Sequence, residues 1–213
     1  LLLVAYPDAL VAALIAWSGA TAARRPLAAL LLLAVATAAR PTGLLGAIPA
    51  AWSAPSRRWR AAVIGASLGT AAAVLLAFAL RSGDALAFSH AQEAWHRTGA
   101  TALPGFVRDA IVERQLRFLL AIVLLVLAVA GTVLLWRRGG AYRPWAVFAA
   151  AVLLTDVASG SLESLPRHLA LAFPIAWALA IAVGGRRRLR RVVLAPLAAT
   201  NVALVAAIGY LPP

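Results

Sequence analysis

Apolar residues run along this chain in blocks of roughly 20, with the polar residues collected between the blocks rather than alternating inside them. Such a block crosses a bilayer as a helix, because at 1.5 Å rise per residue about 20 residues match a hydrocarbon core about 30 Å thick. The pattern predicts spanning helices at residues 1–20, 61–80, 116–136, 144–160, 165–183 and 192–210. Residues 26–54 read differently. Arg40-Pro41 divides them into apolar pieces at 26–39 and 41–54, each too short to cross comfortably alone, and a hairpin of two short helices is expected. The fold expected is all-α: a polytopic transmembrane helix bundle forming a single domain over residues 1–213, with the split hairpin and an outer loop at 81–115 that carries an amphipathic helix.

The placement of charge orients these elements. Thirteen of the 20 arginines lie in four clusters, at 24–25, 57–60, 137–143 and 186–191, and no cluster contains an acid. By the positive-inside rule all four are cytoplasmic, which puts the start of the first helix, the 81–115 loop and the hairpin apex Arg40-Pro41-Thr42-Gly43 on the outer side. A hairpin arm of 14 residues reaches only about 21 Å, so Arg40 is expected within the membrane. An ionisable side chain at that depth is a functional-site hypothesis by default.

Composition agrees and removes rivals. The chain is 63% hydrophobic, with a mean hydropathy of +0.90, far above the roughly 45–50% apolar content of soluble domains. A net charge of +13 invites a nucleic-acid reading, but with only 13% charged residues the chain lacks the solvated basic surface such a partner requires. The seven arginines outside the clusters are matched by seven acids, so the excess charge is a topology signal. There is no Cys, which excludes disulfides, thiolate metal sites and a cysteine nucleophile. Met is absent even at position 1, and the chain is expected to be part of a longer protein.

Acids and histidines fall on or near the outer side, so only that face is equipped for proton transfer. His90, Glu93 and His96 are spaced so that they drift around a helix, without the i, i+4 histidine pair of a zinc helix, and are read as interfacial polar residues; no metal and no cofactor is expected. Residues 88–97 read as an interfacial amphipathic helix and 107–116, after Pro104-Gly105, as a second. Asp8, after Tyr6-Pro7, is either a functional acid or a helix-start carboxylate facing the positive dipole end. Asp156, near the outer end of its helix, is either a functional acid or a counter-charge to Arg167, which also stands four residues from Glu163. Arg40 and Arg167 together are suited to a lipid phosphate, because a guanidinium stays charged and binds phosphate through paired hydrogen bonds.

The order Tyr6-Pro7-Asp8, then Thr37 to Leu44 with Arg40-Pro41-Thr42-Gly43, then Phe88 with Ala91-Gln92, Ala94-Trp95 and Arg97, then Leu165-Pro166-Arg167-His168 with Phe173-Pro174, resembles bacterial relatives of the PIG-V mannosyltransferases of GPI-anchor biosynthesis. These belong to the GT-C class of integral membrane glycosyltransferases. The resemblance implies a polyprenyl-phosphate sugar donor, mannose by preference, a lipid or glycolipid hydroxyl acceptor, and inverting transfer at the outer face of a bacterial cell membrane. It implies Arg40 and Arg167 at the donor phosphate, Asp8 as the catalytic acid group nearest the acceptor, and Gln92, Trp95 and His168 around the sugar. Asp8 stands where relatives often carry Glu, His168 where Tyr is common, and the family's usual catalytic carboxylate lies in a loop upstream of Leu1. A transporter or flippase for a lipid-linked or anionic substrate is the alternative, since interrupted helices and intramembrane charges serve transporters too.

Overall fold

The structure, a computed structural model, describes residues 8–87, 90, 103–112, 116–159 and 165–183. In chain order the elements are α1 (Asp8–Thr21), α2 (Pro26–Ala39), a 3₁₀ helix (Pro41–Gly46), α3 (Ala47–Ser53), α4 (Arg57–Ser82), α5 (Leu103–Val112), α6 (Leu116–Arg138), a 3₁₀ turn (Gly140–Tyr142), α7 (Arg143–Ala158), α8 (Leu165–Leu171) and α9 (Pro174–Val183). Every regular element among the described residues is helical. The helix expected at 192–210 and most of the amphipathic helix expected at 88–97 lie outside them.

Two helices are long and apolar enough to cross a membrane: α4, and α6 from Leu119 to Arg138. Both turn large aliphatic side chains outward; Leu68, Leu76 and Val126 are 54%, 59% and 61% exposed. A water-soluble domain would bury such continuous faces. Most inward-facing residues form one large core, in which Val11 and Ile15 of α1, Leu33 of α2, Phe148 and Val152 of α7 and Leu165 of α8 meet, with a smaller cluster of Leu135, Ala146 and Ala178 beside it. α1 packs on α2, α2 on α4 and α6 on α7, while α1 also touches α8 and α3 touches α7, which joins the two halves.

Several expected boundaries are corrected. The second hairpin arm, expected as one helix over 41–54, is a 3₁₀ helix followed by the two-turn α3. The reason is Arg40-Pro41: a residue before proline is pushed out of the helical region, and Arg40 has φ −160° and ψ 136°. The chain then turns back against α2 so closely that a Cβ on Gly43 would sit 2.2 Å from the Ala36 carbonyl oxygen, and only glycine fits. The helix expected over 165–183 is broken into α8 and α9. Pro174 lacks the N–H that a continuous helix needs and clashes with the preceding turn, so it starts a new helix instead. α4 runs from Arg57 to Ser82, beyond the expected 61–80, with the Ser56 hydroxyl accepting from the Trp59 N–H at 3.4 Å as its N-cap. Pro104-Gly105, expected to break the chain before a helix at 107–116, lies in the first turn of α5, where proline is tolerated.

Because α1 and α2 form an antiparallel pair joined through residues 22–25, the start of α1 and the end of α2 share one end of the bundle. α6 and α7 are likewise joined at 139–142, so the end of α7 lies far from that turn. The arginines at 24–25, 57–60 and 137–143 therefore collect at one end, and Asp8, Arg40 and Asp156 at the other.

Candidate functional site

The polar end is built by helix termini. Asp8 opens α1, Arg40 caps α2 in extended conformation, Asp156 is in the last turn of α7, and His168 lies in α8. Sequence position explains two of the meetings. Asp8 and Arg40 are each sixteen residues from Arg24 at the α1–α2 turn, so antiparallel packing brings them level. Asp156 and His168 are each six residues from Leu162.

The four side chains form one linked chain. Arg40 Nη1 makes an ion pair with Asp8 Oδ1. Arg40 Nη2 lies 2.6 Å from His168 Nε2, and His168 Nδ1 is hydrogen bonded to Asp156 Oδ1. Asp8, Asp156 and His168 are only 4%, 1% and 7% exposed, so these polar groups are held by one another and by Arg40 and not by bulk water. The partners fix the imidazole tautomer. A guanidinium has donors only, so Nε2 must accept from Arg40, and the remaining proton sits on Nδ1, which donates to the carboxylate of Asp156. His168 is thus a neutral imidazole with its basic nitrogen turned to Arg40.

Further polar atoms flank Arg40. The hydroxyls of Thr37, one turn earlier in α2, and of Thr42, two residues later, are buried and make no hydrogen bond among the described residues, and Asp156 Oδ2 makes none either. Buried polar atoms of this kind are costly unless something satisfies them, and Thr37 and Thr42 stand within three residues of Arg40 along the chain.

Of the residues singled out from the sequence, Asp8, Arg40 and His168 come together across 160 positions. Gln92 and Trp95 lie outside the described residues, as does the side chain of Arg167. Asp156, expected as a counter-charge to Arg167, has His168 as its hydrogen-bond partner. Its role was readable only through the symmetry of 156 and 168 about a helix–helix connection. His90, helical and C-terminal to α4, bonds Asp84 Oδ2 through Nδ1 at 2.7 Å. That bond first, and the Leu86 N–H on the other oxygen second, hold the Asp84 carboxyl below its ordinary value of 3.8. Among the described residues no cluster of three or more His, Asp or Glu side chains is arranged to hold a metal ion. No family model, no curated protein and no solved structure matches this chain.

Proposed function

We propose that this chain is a multi-pass membrane glycosyltransferase of the GT-C kind, which moves a sugar, mannose by preference, from a polyprenyl-phosphate donor to a hydroxyl of a lipid or glycolipid acceptor. The reading places the polar end at the outer face of a bacterial cell membrane and the arginine-rich end in the cytoplasm, as the distribution of acids and arginines favours. One observation carries it: the buried chain Asp8–Arg40–His168–Asp156, which sets an anion-binding guanidinium between two proton acceptors.

The chemistry follows from those partners. In the transfer, the acceptor oxygen bonds to the sugar's anomeric carbon, the bond from that carbon to the phosphate oxygen breaks, and its electron pair leaves with the lipid phosphate. The leaving phosphate gains negative charge as the bond breaks, so a guanidinium binding it stabilises the transition state more than the ground state. Arg40 is spent on Asp8 and His168 until a phosphate competes for it. Binding of the donor draws its Nη donors to phosphate oxygens and releases the Asp8 carboxylate, which then accepts the proton of the attacking hydroxyl. The same exchange uncovers His168 Nε2, held in its accepting form by Asp156. Thr37 and Thr42 supply hydroxyls for the sugar or phosphate oxygens, and Arg167 is a second phosphate ligand in this reading. A groove of about 300 Å³ between α6 and α7, lined by aliphatic side chains and Thr132, includes Val157, the residue after Asp156, and suits a prenyl chain.

The α2 break at Arg40 and the α8–α9 break at Pro174 also suit a transporter, so the test separates the two. Sealed vesicles containing the full-length protein are supplied with polyprenyl-phosphate mannose carrying tritium on the sugar. Label recovered in a new glycolipid, with polyprenyl phosphate released, is the expected result. Label that crosses the membrane still attached to its original lipid would establish the transporter and overturn the transferase.

A further inference from the structure

The arginine-rich end holds a cleft that the polar site does not use. It has a volume of about 690 Å³ and is walled by Trp52 of α3, Trp145 of α7 and Trp177 of α9, with Gly19 and Ala20 of α1, Ser53 of α3 and Pro144 of α7 among the other lining residues. Its volume lies within the roughly 300–1,000 Å³ typical of small-molecule sites.

The cleft is built by packing. Trp145 stacks edge-on against Trp177 at 5.2 Å and against Phe173 at 5.4 Å between ring centroids, which fixes its ring. A Cβ on Gly19 would stand 2.6 Å from the same ring, so α1 approaches it only because residue 19 has no side chain. Trp52 is 53% exposed and Trp177 38%. Exposed indoles gathered at one end of an apolar bundle belong at headgroup depth, where an aromatic face meets hydrocarbon and the N–H meets polar groups.

The surroundings determine the sign of the ligand. Segments lining the cleft run directly into the arginines at 24–25, 57–60 and 137–143, eight in all and all exposed. Element order places none of the described acids at this end. The side-chain polar groups of the wall, indole N–H and the Ser53 hydroxyl, can all donate hydrogen bonds. Arg143, beside the lining residue Pro144, holds its guanidinium 5.4 Å from the centroid of the Trp136 ring. A ligand here meets apolar and aromatic walls below and uncompensated positive charge above.

We infer that this cleft binds an acidic phospholipid, with its phosphate among the arginines and one acyl chain against the tryptophans and the small residues of α1. The inference rests on membrane insertion alone and stands or falls separately from the transferase reading.

The test uses the full chain, delipidated in detergent and reconstituted into phosphatidylcholine nanodiscs with or without phosphatidylglycerol, and counts retained lipid by native mass spectrometry. Phosphatidylglycerol is retained over phosphatidylcholine by at least about fivefold, the order expected when each arginine near the headgroups contributes. Ala20→Phe, which adds a ring at an exposed cleft position outside the core, removes the preference, while Ala20→Ser keeps it. Arg143→Gln reduces it severalfold without filling the cleft, so the reading does not depend on Ala20→Phe remaining folded. Inorganic phosphate at equal concentration neither displaces the lipid nor is retained. Equal retention of the two lipids would overturn the inference, as would a full preference in folded Ala20→Phe. Displacement by inorganic phosphate would show an anion site and overturn the assignment to a lipid.

Discussion

Gly43→Ala tests how the fold places Arg40. The added Cβ would lie 2.2 Å from the Ala36 carbonyl oxygen, 2.3 Å from its carbon and 2.7 Å from the Thr37 nitrogen, all backbone atoms that no rotamer change can move. The closest ordinary C···O contacts are about 3.3 Å, so the 3₁₀ segment and the last turn of α2 must separate by about 1 Å. Arg40 sits between them, with its N–H bonded to the Ala36 oxygen and its own oxygen accepting from Gly43. A displacement of that size takes Arg40 Nη2 from 2.6 Å to beyond about 3.5 Å from His168, outside hydrogen-bonding range. Overpacking plus a lost charge-assisted bond costs about 3 kcal/mol. For a chain of this size that lowers the melting temperature by roughly 6–12 °C. The assay is thermal unfolding of the purified protein in detergent, followed by tryptophan fluorescence. Gly65→Ala in α4 is the control, since its Cβ meets nothing within 4 Å and helix propensity makes it neutral or slightly stabilising. If Gly43→Ala melts with the wild type and Gly65→Ala, the 3₁₀ helix does not pack on α2 as described, and the placement of Arg40 falls with it.

Other outcomes follow from the same contacts. Removing one partner of the buried pair, as Asp8→Ala or Arg40→Leu, should cost about 3–5 kcal/mol in thermal or denaturant unfolding, with the double variant recovering part of the loss; additive losses would mean the two side chains do not interact. Phe148→Ala, which empties a fully buried core position, should cost about 3–5 kcal/mol, and a loss below about 1 kcal/mol would place Phe148 at the lipid boundary instead. Cysteines introduced at Ser56 and Ala85, at opposite ends of α4, should react with impermeant reagents from opposite sides of the membrane, and same-side labelling would overturn the topology. The Asp84 carboxyl is depressed in the folded chain, so its contribution to stability is present above the unfolded value and is lost as pH falls through the folded one. His90→Ala should return that carboxyl toward 3.8 in a carbon-13 titration, and no change would remove His90 as the cause.

How much of this was legible in the sequence depends on the range of each interaction. The long helices α4 and α6 were readable because an apolar block of that length has one inexpensive conformation in a membrane. That Asp8, Arg40 and His168 lie toward one end was readable because charge clusters fix which loops share a side; that their side chains join was not, because it depends on how the helices pack. The second hairpin arm was not, since its conformation depends on Gly43 lying against Ala36, a contact that no periodicity encodes. The break before Pro174 was signalled by the proline itself, but an apolar block outweighed it in the reading of 165–183. Asp156 was read beside Arg167 because charge suggests the nearest opposite charge; its bond to the His168 imidazole was not read, since no charge rule points to a neutral ring twelve residues on.

In the proposed transfer, Arg40 binds the phosphate of the lipid-linked sugar. The most direct measurement is kcat/KM for transfer of labelled mannose from polyprenyl-phosphate mannose by the full-length protein and by Arg40→Ala. Product from the wild type and a loss of about 10²–10³ in the variant are expected, the effect of removing one donor to a developing oxyanion. Equal rates in a folded Arg40→Ala variant, or no product from the wild type in intact membranes, would contradict it.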